Sequence, residues 1–176
     1  ERIERFSPGG EQRASLPPLP APLFSSHAAV ADSKVWIVGV DGDRARRFFE
    51  IDVGAGQATW ITHAPWPGLG DEITSATEQT NALLITLRTD GGSERIVQWK
   101  ADEGWKDRGS APAPLVAGSA SALGQAHVLY VSSTTPSSVL GFHTITGSWT
   151  TLAAAPGGAE SRAATQWQNG LVWLRV

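Results

Sequence analysis

Four dense apolar runs punctuate the chain: VWIVGV from Val35, LLITL from Leu83, HVLYV from His127 and LVWLRV from Leu171. Each follows a polar turn (ADSK, TEQTN, GQ and QNG), and each is apolar on both faces, the pattern of a strand covered on two sides. Upstream of each lies a stretch of small residues: SSHAAV from Ser25, ITSAT from Ile73, AGSASAL from Ala117 and SRAATQW from Ser161. Small side chains suit an innermost strand where neighbouring sheets converge. Downstream come segments carrying an aromatic (RRFFEID, RIVQWKA and SVLGFHT), then a turn, then a fourth strand that starts near a Trp and stops at a Pro. Proline has no N–H to give to a ladder, so it ends the strand and redirects the chain.

The pattern repeats. Trp60, Trp105 and Trp149 stand about 45 residues apart, and Pro20, Pro65, Pro112 and Pro156 keep the same step. That spacing predicts an all-β chain of four-stranded antiparallel units, the Trp padding the space between one sheet and the next. Residues 1–20 supply only the third and fourth strands of a unit, residues 21–66, 67–113 and 114–157 supply whole units, and residues 158–176 supply the first two strands of another. Four units' worth is expected, three whole and two halves. The two halves could complete each other in a closed ring of four units; chain ends that fall inside units, and Glu1 standing first, favour instead an arc cut from a larger ring or a processed chain.

Composition supports this architecture and removes several functions. Nineteen Gly, eleven Pro and eight Trp in 176 residues favour short strands and tight turns over helices. A net charge of −3 offers no electrostatic footprint for nucleic acid, and no apolar run reaches the roughly 20 residues of a membrane span. The absence of cysteine excludes disulfides and thiolate metal sites. His63, His127 and His143 share no metal-ligand spacing, so no metal is expected, and Asp41-Gly42-Asp43 reads as a hairpin tip. There is no P-loop, no dinucleotide fingerprint and no G-x-S-x-G, so no cofactor is expected either.

LPPLPAPL with SSHAAVADSKVWIVGV, FFEIDVGAGQATWITHAPWPG, FHTITGSW and AATQWQNGLVW resemble Kelch-repeat β-propellers, more narrowly the cyclically permuted mutarotase branch with its N-acetylneuraminate (sialic acid) mutarotases. The likeness runs over nearly the whole chain. It implies a Kelch-type β-propeller, with this chain as an arc of a six-bladed ring in the periplasm or outside the cell. The implied activity is cofactor-free interconversion of sugar anomers in a central channel. Its implied partners are a small sugar acid and either a transporter domain or the rest of the propeller. The family's Gly-Glu-x-Arg-Pro segment has no counterpart in this sequence, which stops at Leu174-Arg175-Val176.

Mutarotation needs one group to take the anomeric proton, one to protonate the ring oxygen and a cation to hold the carboxylate. Propellers place such groups where the chain enters each inner strand. His27, Glu160 and Arg162 are the candidate catalytic residues; Ser26, Trp66, Glu72 and Ser119 are the candidate ligand-binding residues. Trp66, in a loop ahead of an inner strand, is the aromatic suited to stacking on a sugar, whereas Trp36, Trp60, Trp99, Trp105, Trp149 and Trp173 keep step with the units and read as core. A neighbouring Glu makes a structural salt bridge the plain alternative for Arg162, and a hydrogen-bonded scaffold role the plain alternative for His27. Two rival functions remain at this point: a non-catalytic propeller whose faces bind another protein, and a sugar-binding module without the acid/base pair.

Overall fold

The computed structural model describes residues 3–6, 13–68, 72–154, 161–167 and 170–175, with side chains described over 15–68 and 72–154. Among them every regular element is a β-strand. The chain divides into two compact units, Glu1–Trp66 and Pro67–Val176.

In the first unit β1 (Ile3–Phe6) pairs antiparallel with β2 (Arg13–Leu16), and β3 (Ser25–Ala31), β4 (Lys34–Val40), β5 (Arg46–Asp52) and β6 (Trp60–His63) form a four-stranded meander in that order. The runs expected to be covered on two sides are the inner members of this sheet. Trp36 and Val38 of β4 and Phe48, Phe49 and Ile51 of β5 are buried. Trp60 opens the fourth strand, meets Phe49 edge-on with centroids 6.4 Å apart, and donates its indole N–H to the Pro17 carbonyl at 2.9 Å. Gly39 is needed where β3 and β4 pinch: a Cβ there would lie 2.4 Å from the Ser25 carbonyl oxygen.

The second unit holds two more four-stranded meanders and a hairpin. The first comprises β7 (Glu72–Gln79), β8 (Ala82–Arg88), β9 (Glu94–Lys100) and β10 (Gly104–Ser110). The second comprises β11 (Ser121–Leu123), β12 (His127–Val131), β13 (Ser138–His143) and β14 (Trp149–Ala154), and the hairpin pairs β15 (Ser161–Trp167) with β16 (Gly170–Arg175). Asn169, expected to shape the turn of that hairpin, lies outside the described residues.

One core joins the two meanders: Ala82, Leu84 and Ile96 from the first, Leu115 from the connection, and Val128, Tyr130, Leu140 and Phe142 from the second. Trp149 packs against this core with its ring centroid 4.9 Å from Phe142 and 5.4 Å from Tyr130. The Trp at the start of this fourth strand thus lies over aromatic residues of its own sheet, at the side of the core that joins the two meanders. Burial pushes the Tyr130 phenol above its ordinary range.

The inner strand expected from Ala117 is mostly absent. Only Ser121–Leu123 pairs with β12 as a strand; Leu115 makes an isolated bridge to Ser132, the Val116 N–H bonds the Val131 carbonyl, and the chain then turns, with the Ser119 N–H on the Val116 carbonyl. Gly118, at φ +75°, gives its N–H to the Thr74 carbonyl at 2.8 Å and also approaches the Ser75 hydroxyl at 2.9 Å. The adjacent sheet thus satisfies a group that a ladder would otherwise have taken.

Candidate functional site

Each residue singled out from the sequence can be followed to its place. Ser26 is exposed on β3 opposite Gly39, and His27, half-buried, stands opposite Val38. Trp66 is 1% exposed; the Arg46 guanidinium lies 5.9 Å from its ring centroid and reaches its carbonyl at 3.5 Å, so the ring offers solvent almost no open face. Ser119 is fully buried, and its hydroxyl accepts the Val131 N–H at 3.2 Å. Glu160 lies outside the described residues. Arg162 belongs to β15, where the pairs Ser161–Arg175 and Ala163–Leu174 leave it in a register shift, a bulge.

Glu72 has a defined chemical setting. It is the first residue of β7, it is exposed, and it accepts a 2.7 Å bond from Arg88 Nη1. Arg88 Nη2 reaches the buried Glu94 at 3.2 Å, and the other Glu94 oxygen takes the Leu115 N–H. A surface carboxylate is thereby fixed to a guanidinium that is itself anchored on an interior carboxylate. Such an arrangement can accept a charge-assisted hydrogen bond from a hydroxyl at the inner-strand mouth.

At the other end of the same strands the two meanders of the second unit enclose a cleft of about 360 Å³. Its wall includes Gln79 and Thr80 from the β7–β8 turn, Lys100, Glu103 and Lys106 around the β9–β10 turn, Arg108 of β10, and Gln125, Thr144 and Ile145 from the facing sheet. Lys106 and Lys100 both bond the Glu103 carboxyl and hold its pKa below the ordinary carboxylate value, Lys106 having the larger effect. Arg108 Nη2 donates to the carbonyls of Thr144 at 2.6 Å and Ile145 at 2.9 Å.

Four-stranded antiparallel meanders in series, two of them joined by one core in the second unit, have counterparts among solved structures. The sheets are blades of a β-propeller. The structure of YjhT, a propeller-type neighbour, superposes with a TM-score of 0.60 at 15% identity, over 82% of this chain and 54% of that one. A structure from a mechanistic analysis of two prolyl endopeptidases, concerned with inter-domain dynamics in catalysis and specificity, gives 0.55 at 20% identity over 88% of this chain and 22% of that one. The chain spans about half the length of YjhT and about a fifth of the peptidase chain. No protein-family model and no curated protein matches it. At these identities the likeness concerns the blade fold.

The residues expected from the sequence stand at one end of the blades, where the chain enters inner strands, and Glu72 starts one of those strands. Arg88 and Glu94, the partners that position Glu72, were not expected from the sequence, nor was the cleft at the opposite end. A signal for Glu94 exists: it opens an otherwise apolar-rich third strand, ERIVQWK, where a lone carboxylate must find a partner once buried. The cleft had no local signal, because its walls come from turns one blade apart.

Proposed function

We propose that the chain is part of a sialic-acid mutarotase-like propeller, periplasmic or extracellular, which handles a sugar acid without a cofactor. The observation that carries this reading is the exposed Glu72 at the first position of an inner strand, backed by Arg88 and Glu94. This is the blade position where propellers of the resembled family hold their ligand groups. By position in the repeat, Arg162 is assigned the substrate carboxylate, His27 and Glu160 the proton transfers, and Ser26 and Glu72 the ligand contacts, whereas Ser119 and Trp66, expected from the sequence to touch ligand, are buried and serve packing. The chemistry asks little of the protein: one proton leaves the anomeric hydroxyl as the bond between the anomeric carbon, C2, and the ring oxygen breaks and the ring oxygen is protonated, giving the open-chain ketone, and closure on the other face of the carbonyl reverses both steps.

A second reading is a propeller that binds a sugar or a protein without catalysis. The burial of Trp66 and Ser119 favours its protein-binding form, since it removes two of the expected sugar contacts. NMR exchange spectroscopy of N-acetylneuraminate anomers decides between the two. Acceleration by the parent protein, reduced tenfold or more by Arg162→Ala and by Glu72→Gln, is the expected result; saturable binding with no acceleration would replace catalysis by the second reading.

A further inference from the structure

The cleft between the blades β7–β10 and β11–β14 carries a charge pattern that packing does not require. Lys100, Lys106 and Arg108 face it against a single carboxylate, Glu103, in a chain whose net charge is −3. Glu103 is shared by the two lysines. Among the described residues no carboxylate pairs with Arg108, which spends one terminal nitrogen on two carbonyls. Those carbonyls fix the guanidinium against the facing blade without neutralising it. A surplus of two positive charges therefore stands in a concave space.

The rest of the wall is uncharged and polar. Gln79, Gln98 and Gln125 contribute amides and Thr80 and Thr144 hydroxyls, while Ile145, 75% exposed, adds an apolar patch. A volume of about 360 Å³ lies at the small end of the range for small-molecule sites. Amides donate and accept at once, which suits hydroxyl groups, and an exposed aliphatic side chain suits the C–H face of a saturated ring. We propose that this cleft is a second ligand site, which takes a monosaccharide-sized polyhydroxylated anion with its carboxylate or phosphate head toward Lys106 and Arg108. The site is separate from the inner-strand mouths considered above and does not depend on anomer exchange.

The test is titration of the 15N-labelled chain at low salt with glucuronate, glucose 6-phosphate and glucose, following the side-chain amides of Gln79, Gln98 and Gln125 together with calorimetry. At least one anion should bind saturably, at least tenfold tighter than glucose, with the shifts centred on those amides, and should weaken as salt rises. The two anions distinguish a carboxylate from a phosphate head. Arg108→Gln should lower the affinity tenfold or more. Lys106→Gln, at an exposed position where folding is not at stake, should lower it several-fold. Equal binding of all three sugars, shifts confined to the opposite ends of the blades, or an affinity unchanged in Lys106→Gln would overturn the proposal.

Discussion

Gln79 donates its side-chain amide to the carbonyl of Gly124 at 2.9 Å, and the two residues are 45 positions apart, one repeat of the chain. Thr80 does the same to Gln125 at 2.6 Å, again 45 positions on. The turn between the first two strands of one blade is therefore bonded to the corresponding turn of the next. The sequence period is realised as a physical contact between equivalent places.

Thr80 and Asn81 form the two-residue turn of this hairpin with φ of +54° and +57°, the type I′ arrangement that suits strand twist. A β-branched residue rarely sits there, and the bond to Gln125 offsets the strain. Thr80→Ala keeps the left-handed backbone and loses the bond, so chemical denaturation should show a loss of about 1 kcal/mol. Thr80→Gly relieves the strain while losing the same bond. Its stability should lie within about 0.5 kcal/mol of the parent, a prediction refuted if both variants fall equally.

Gly39 is predicted to tolerate no methyl group. An added Cβ would meet the Ser25 carbonyl at 2.4 Å and Leu23 Cδ1 at 3.1 Å, and Ser25 is held in the ladder with Val40. Gly39→Ala should cost about 1–3 kcal/mol by forcing β3 away from β4. Gly56→Ala, where nothing lies within 4 Å, is the control and should change the denaturation midpoint little.

Glu50 gives the first unit a dependence on pH. It is buried on β5 and accepts bonds from Lys34 at 2.7 Å and Trp36 Nε1 at 3.0 Å, with His63 Nε2 also at 3.0 Å. Burial works against its charge, yet the bonds from Lys34, Trp36 and His63 outweigh it and the pKa falls below the ordinary 4.5. A carboxyl that is harder to protonate when folded contributes stability above the unfolded value. That contribution disappears as pH drops below about 4.5 through the lower folded value. Glu50→Gln should cost about 1–3 kcal/mol at pH 7 and flatten this part of the stability–pH curve. A variant curve parallel to the parent's between pH 5 and 3 would contradict the assignment.

Glu72 and Glu94 share Arg88 but should differ widely in what their loss costs. Glu94 is buried and also takes the Leu115 N–H, so Glu94→Ala strands a backbone donor and half of Arg88's bonding; a loss of about 3 kcal/mol is expected. Glu72→Gln removes an exposed partner and should cost less than about 1 kcal/mol. Thermal unfolding of the two variants side by side checks the order. It also establishes Glu72 as a position where an effect on sugar chemistry can be measured in a folded protein.

What the sequence made legible was whatever depends on one strand and its neighbours. Val35–Val40, Leu83–Leu87 and His127–Val131 form second strands because covered runs must be apolar on both faces, and Trp60 and Trp149 pack where their spacing says they should. The shortened β11 was illegible, since AGSASAL has an inner strand's composition and what releases it from the ladder is Gly118 bonding to Thr74 and Ser75 of another blade. The inner-strand positions of Ser26, His27 and Glu72 followed from the pattern, but the burial of Trp66 did not, because a loop's packing is set by what folds over it. Glu50 and Glu94 escaped notice for a related reason: a carboxylate's interior partners are assembled only in three dimensions.

The bonds from Gln79 and Thr80 to the following turn have an evolutionary implication. A segment copied in tandem would arrive already carrying the donors for its successor and the acceptors for its predecessor.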